Sequence, residues 1–325
     1  MRRREFVLAG AALLSAATAR SQTSRGLTAR VGLLQFGEAT QDRARYYGGF
    51  KAGLSALGWH EGSNLALTPL FAQGRTDQLS ELASQLTAEL PDVIVAAGGI
   101  STVRALQAAT RTIPTVMIGM AVDPVETGLV QSLSRPGGNL TGTVSLGPPL
   151  NAKRLELLKE VVPTVQRVGV VFNPEIWSIE HLQSPAAALQ ITIIPVPIRA
   201  VDELAGIPDR RGEKLDALAL LTDPAILESN LQSTLGLLSR AGLPTVFPWR
   251  SYVVAGGLMA YAASLDDLYR RAAVTVARIL KGEHPSQLPI EQPDRFELAI
   301  NVRTARALGL TFPASVLLRA EEVIE

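Results

Sequence analysis

The turn Gly98-Gly99-Ile100-Ser101-Thr102 follows an apolar run at 93–97 and opens a stretch with Val103, Leu106 and Ala109 at helical spacing. Bare backbone N–H groups at a helix N-terminus suit a carboxylate, and the hydroxyls of Ser101 and Thr102 add donors. Ser101 also reads as a plain N-cap for that helix. Asp123 and Asp223 each end an apolar run and each precede a proline. An Asp-Pro pair starts a turn, or it leaves a carboxylate at a strand end where it can accept from an ammonium. Two acids and one anion-friendly turn on a common rim point to a zwitterionic ligand such as an amino acid. Phe36, Trp177, Trp249 and Tyr261 lie near the same loops. Trp249 suits either a stacking platform or the core, whereas Trp59 and Trp177 read as packing or surface groups.

These residues sit on a pattern that occurs twice. Arg30-Val31-Gly32-Leu33-Leu34-Gln35-Phe36 recurs as Arg167-Val168-Gly169-Val170-Val171-Phe172-Asn173. Asp92-Val93-Ile94-Val95-Ala96 recurs as Asp216-Ala217-Leu218-Ala219-Leu220, and Ile113-Pro114-Thr115-Val116 as Leu243-Pro244-Thr245-Val246. Apolar, β-branched runs without period-two alternation are expected of parallel strands buried on both faces. Strands are predicted at 31–36, 64–71, 93–97, 115–120, 167–173, 191–197, 215–221, 245–248, 258–261 and 296–301. Helices are predicted between them, notably at 41–57, 79–90, 152–161, 225–240 and 266–281, with a tail helix at 304–308. The expected fold is α/β, two doubly wound parallel-sheet lobes joined by hinge crossovers. In open α/β sheets ligands sit outside the carboxyl ends of the strands. That places Gln35, Phe36, Gly98, Gly99, Ser101, Thr102, Asp123, Asn173, Thr222 and Asp223 around one cleft, with Trp249 and Tyr261 nearby.

Composition removes other function classes. The chain has 325 residues and a formal charge of +1, with 31 basic against 30 acidic side chains, so nucleic acid is not an expected partner. It has no cysteine, which excludes disulfides, thiolate metal sites and a lipid anchor on an N-terminal cysteine. His60, His181 and His284 are scattered, with no pair at metal-ligand spacing, and no Gly-x-Ser-x-Gly elbow or dinucleotide fingerprint occurs. No cofactor or metal is implied, and an enzyme is not expected. The rival from that class is a secreted α/β hydrolase using Ser101 and a distant histidine.

The N-terminus indicates export. Arg2-Arg3-Arg4, a small apolar run at 8–17 and Ala17-Thr18-Ala19 fit a signal peptide spanning 1–25 with cleavage before Arg20. Arg3-Arg4-Glu5-Phe6-Val7 fits the twin-arginine pattern as well as an ordinary basic n-region.

Ala105-Leu106-Gln107-Ala108-Ala109-Thr110 with Ile113-Pro114-Thr115-Val116, then Asp123-Pro124-Val125, then Ser134-Arg135-Pro136-Gly137-Gly138-Asn139-Leu140-Thr141-Gly142 closely resemble the ABC transporter substrate-binding protein family that includes the tryptophan- and tyrosine-binding members. Gly256-Gly257-Leu258-Met259-Ala260-Tyr261, Ile279-Leu280-Lys281-Gly282, Leu288-Pro289-Ile290-Glu291-Gln292-Pro293 and Phe296-Glu297-Leu298-Ala299-Ile300-Asn301 extend the resemblance over the mature chain. It implies the type I periplasmic-binding fold, closure on a small ligand between two lobes, ABC permease subunits as partners, a periplasmic location and a monomer. A ligand-sensing protein serving a membrane receptor is the second reading. Domain boundaries are expected at 26–142 plus 254–286 for the first lobe and 143–253 plus 287–325 for the second, with hinges near Gly142, Val254 and Gln287. The stretch 174–190 departs from the pattern by lacking a regular helix.

Overall fold

The apolar run at the start of the first repeat folds as β1 (Ala29–Gln35), followed by α1 (Gln41–Ala56), β2 (Leu65–Phe71), α2 (Leu79–Ala88), β3 (Val93–Ala97), α3 (Ile100–Ala109), β4 (Thr115–Met120) and β5 (Leu140–Val144). These come from a computed structural model that describes residues 28–37, 41–207 and 214–325. The predicted signal segment, 1–25, lies outside the described residues. The strands pair in the order β2-β1-β3-β4-β5, all parallel. β3 shows why its sequence does not alternate: Val93, Val95 and Ala97 pack in one core with Phe50 and Leu54, while Ile94 and Ala96 pack in another with Leu86, Val103 and Leu106.

The second lobe repeats this plan with α4 (Gly147–Val161), β6 (Arg167–Phe172), α5 (Gln183–Ala188), β7 (Thr192–Pro197), β8 (Ala217–Leu220), α6 (Leu231–Ala241), β9 (Thr245–Phe247), α7 (Arg250–Val254) and β10 (Met259–Ala263). After α8 (Leu265–Leu280) come β11 (Phe296–Asn301), α9 (Val302–Ala307), α10 (Ala314–Arg319) and β12 (Glu322–Ile324). The second sheet runs β12-β11-β10-β9-β8-β6-β7, so β7-β6-β8-β9-β10 matches the first sheet strand for strand. Only β11 is antiparallel to its neighbour β10. The repeated aspartates do the same work in both lobes. Asp92 Oδ2 accepts from Arg30 N at 2.7 Å, and Asp216 Oδ2 accepts from Gln166 N and Arg167 N at 2.9 and 2.8 Å. Among the described residues no helix is long and apolar enough to cross a membrane.

Three crossings join the lobes, two of them displaced from the expected hinges. The first, at 144–147, follows β5. The second lies at 263–265, because β10 pairs with β9 through Met259↔Val246 and Ala260↔Phe247. Residues 254–263 therefore belong to the second lobe, and Gly256-Gly257 is a turn within it rather than a passage. The third follows Glu291: Thr141 Oγ1 donates to the Leu288 carbonyl at 2.8 Å, and Glu291 exchanges backbone bonds with Gly142 and Val144 at 2.9 and 3.0 Å. Residues 287–291 thus stay with the first lobe. The helix α8 returns to that lobe, where Leu268, Ala272, Ala273 and Val276 share a core with Phe50 and Leu54 of α1.

Candidate ligand-binding cleft

The carboxyl ends of β1, β3 and β4 face residues of the second lobe across a cavity of about 630 Å³. Gly98 and Gly99 form its sharpest corner, with φ of 104° and 95°. A β-carbon on Gly98 would lie 2.4 Å from the Phe36 Cβ, so only glycine fits both the dihedral and the space. Gly99, not Ser101, is the N-cap of α3, and Ser101 is the helix's second residue. The first N–H groups of α3 have no carbonyl one turn earlier to bond, which leaves them for a ligand anion. Of the residues expected at the site, Gln35, Phe36, Gly98, Gly99, Ser101, Thr222 and Trp249 line the cavity.

Five other predicted residues are placed elsewhere. Asp123 Oδ1 accepts from Val125 N at 2.7 Å, and Asp223 Oδ1 accepts from Ala225 N and Ile226 N at 2.9 and 2.8 Å. Both acids cap the turns they begin through Oδ1, accepting from backbone N–H groups two and three residues on. Asp223 Oδ2 is buried with no hydrogen-bond partner among the described residues. Asn173 Oδ1 likewise accepts from Glu175 N at 2.9 Å. Thr102 is fully buried, and Tyr261 stacks on Phe296 with ring centroids 5.9 Å apart.

Glu228, Tyr46 and Tyr269 line the cavity although their sequence positions did not single them out, and Trp177, read from the sequence as a packing or surface group, lines it too. Glu228 ends a five-residue π-helical turn, Pro224–Glu228, where a continuous helix was expected. The turn is held off α6 by Ser229 Oγ donating to the Pro224 carbonyl and Asn230 Nδ2 donating to the Ile226 carbonyl. Glu228 Oε1 accepts from Trp249 Nε1 at 2.6 Å, which aligns acid and ring on one wall. Trp177 Nε1 donates to the Thr222 carbonyl at 2.7 Å. Its ring lies over Gly147, where a β-carbon would meet Trp177 Cη2 at 2.5 Å. Tyr269, whose hydroxyl donates to Gln35 Oε1 at 3.0 Å, stacks on Tyr46.

Glu228 is the only acidic side chain among the described residues that line the cavity, and none of those described lining residues is Lys, Arg or His. A cation lies behind the wall: burial pulls the Arg154 guanidinium down to about 9, opposed by the nearby charges of Glu228 and Tyr261. Burial also lowers His181, whose ring packs against Trp177 at 6.1 Å, against the pull of Glu126. Among the described residues no cluster of His, Asp or Glu has the arrangement of a metal site. The lobes meet at the cavity's edges. A β-carbon on Gly99 would lie 3.1 Å from Pro224 Cγ, and one on Gly74 would lie 2.5 Å from the Ser229 Cβ and Oγ.

A family model described as ABC transporter substrate binding protein matches residues 31–324. The chain belongs to this family. It is similar to the tyrosine-binding protein of Clostridioides difficile, at 28% identity over 271 residues, 81% of this chain and 76% of that protein. A conserved domain protein from Vibrio cholerae superposes with a TM-score of 0.81 at 31% identity, over 91% of this chain and 99% of that one. The ABC domain from Streptococcus pneumoniae, solved in complex with L-Trp, superposes with a TM-score of 0.83 at 24% identity, over 91% and 100% of the two chains. The protein is the substrate-binding component of an ABC transporter, with a small ligand and permease subunits as its partners. Its family is one of extracytoplasmic solute-binding proteins, not of enzymes.

Proposed function

We propose that this substrate-binding protein captures an amino acid, with an aromatic side chain preferred, in the periplasm after export by its N-terminal signal. One observation carries the reading: the Glu228 carboxylate, an anion-friendly helix start and two tryptophans line one cavity. The ligand carboxylate meets the N–H groups at Gly99 to Ser101, the ammonium meets Glu228, and the side chain lies against Trp177 and Trp249. Glu228 takes the role first assigned to Asp123 and Asp223, whose Oδ1 atoms accept from their own turns. The cavity volume falls within the range of about 300–1,000 Å³ usual for small-ligand pockets. Similarity to a tyrosine-binding protein supports the aromatic preference. The lobes close by bending at the three crossings, since segments passing between rigid lobes absorb the rotation.

A thermal-shift panel of amino acids, sugars and organic acids tests this, because a ligand that binds only the native state raises its stability by mass action. Amino acids are expected to stabilise the protein, and Glu228→Gln to weaken them by about 1.5–3 kcal/mol, roughly ten- to 150-fold. Stabilisation by a sugar or an uncharged solute, with none by any amino acid, overturns the zwitterion reading.

A further inference from the structure

Behind the Trp249 wall lies a buried cation that makes no ion pair among the described residues. Arg154, 2% exposed on α4, donates from Nε to the Tyr261 carbonyl at 2.8 Å, from Nη1 to Asn151 Oδ1 at 2.6 Å and from Nη2 to the Pro248 carbonyl at 3.2 Å. A buried charge without a carboxylate partner is costly, so these three acceptors are what replaces water around it. Their positions are informative. Pro248 immediately precedes Trp249, the N-cap of α7. Tyr261 lies on β10 just ahead of the second crossing, and α4 itself begins at the first. Asn151 is oriented in turn by His181, whose Nδ1 donates to the Ser178 carbonyl at 2.9 Å and whose Nε2 accepts from Asn151 Nδ2 at 3.2 Å.

We propose that Arg154 is a positioning residue for ligand capture: its guanidinium fixes the backbone at Pro248, and with it the Trp249–Glu228 pair, to the elements that carry the first two crossings. The planar fork is needed because one side chain must reach two carbonyls and an amide oxygen in different directions. Lysine keeps the charge but offers a single nitrogen, and methionine keeps the stem but offers no donor. Arg154 does not touch the cavity, so its effect on the ligand travels through Trp249.

The test reads Trp249 directly. The chain has three tryptophans, so protein labelled with 5-fluorotryptophan gives one ¹⁹F resonance each, and Trp249→Phe assigns the one that matters. Arg154→Met is expected to abolish the sharp Trp249 resonance, and Arg154→Lys to shift it, while the Trp59 resonance in the first lobe stays in place. The spectra are taken without ligand, so failure of the amino-acid reading leaves this test intact. Should Arg154→Met not fold, Arg154→Lys alone decides. A Trp249 resonance unmoved in the folded variants, or Trp59 and Trp249 shifting to the same extent, overturns the proposal.

Discussion

Gly74→Ala separates closure from stability. Gly74 has φ of 75°, a conformation that costs an L-residue about 1–2 kcal/mol whether the lobes are apart or together. That strain cancels from the binding equilibrium. The contact does not: the added β-carbon would lie 2.5 Å from the Ser229 Cβ as well as its Oγ, so turning the serine side chain brings no relief. Ser229 Oγ is in any case held on the Pro224 carbonyl at 2.7 Å. Restoring an ordinary carbon–carbon separation of about 3.5 Å requires the lobes to part by about 1 Å at this edge. Overpacking of this kind costs about 1–3 kcal/mol, and since it arises only with the lobes together it falls wholly on the bound state. The affinity for the best amino acid of the panel should drop by about five- to 150-fold in isothermal titration calorimetry. Gly58→Ala is the matched control, with φ of 89° and no atom within 4 Å of the new carbon. Both variants lose stability, and only Gly74→Ala loses affinity. Equal affinities in the two would refute closure at the Gly74–Ser229 edge.

Two further outcomes follow from other parts of the molecule. His181 has a folded-state value below that of the unfolded chain, so stability is full above the ordinary histidine range near 6.5 and falls as pH drops through it, because the unfolded chain takes up the proton first. The Tm of the native protein should decline between pH 7.5 and 5.5 more steeply than that of His181→Gln; parallel declines would contradict the assignment. The exported protein should begin near Arg20, and N-terminal sequencing that finds Arg2 to Arg4 retained would show that the signal is not cleaved there.

The strands were legible because burial on both faces writes uninterrupted apolar runs such as Val93-Ile94-Val95-Ala96-Ala97, and the duplication showed which strands correspond. The corner Gly98-Gly99 was legible because positive φ and close approach to Phe36 leave glycine alone able to fill it. Less visible were features decided by competition between nearby bonds. Asp123 and Asp223 have the composition of ligand acceptors, but their own turns supply donors first. Glu228 reaches the cavity only because Ser229 and Asn230 hold a π-helical turn where the apolar spacing allows an ordinary helix. β5 reads as part of a loop, since Thr141, Gly142 and Thr143 are buried without an apolar signature. Gly142 lies so close to β4 that a β-carbon would meet the Met117 carbonyl at 2.0 Å.

The return of α8 to the first lobe has a consequence for how the chain acquires its structure. Residues 28–145 are made long before α8, so Phe50 and Leu54 pack against the first sheet but lack the cover of Leu268, Ala272 and Val276, which are synthesised more than two hundred residues later. The second lobe waits in the same way for β11 and β12 to extend its sheet beyond β10. Neither lobe is one uninterrupted piece of sequence, so no single cut releases a complete one. A truncation after 145 leaves an open hydrophobic face, and a nascent chain of that length is a client for a holdase rather than a folded intermediate.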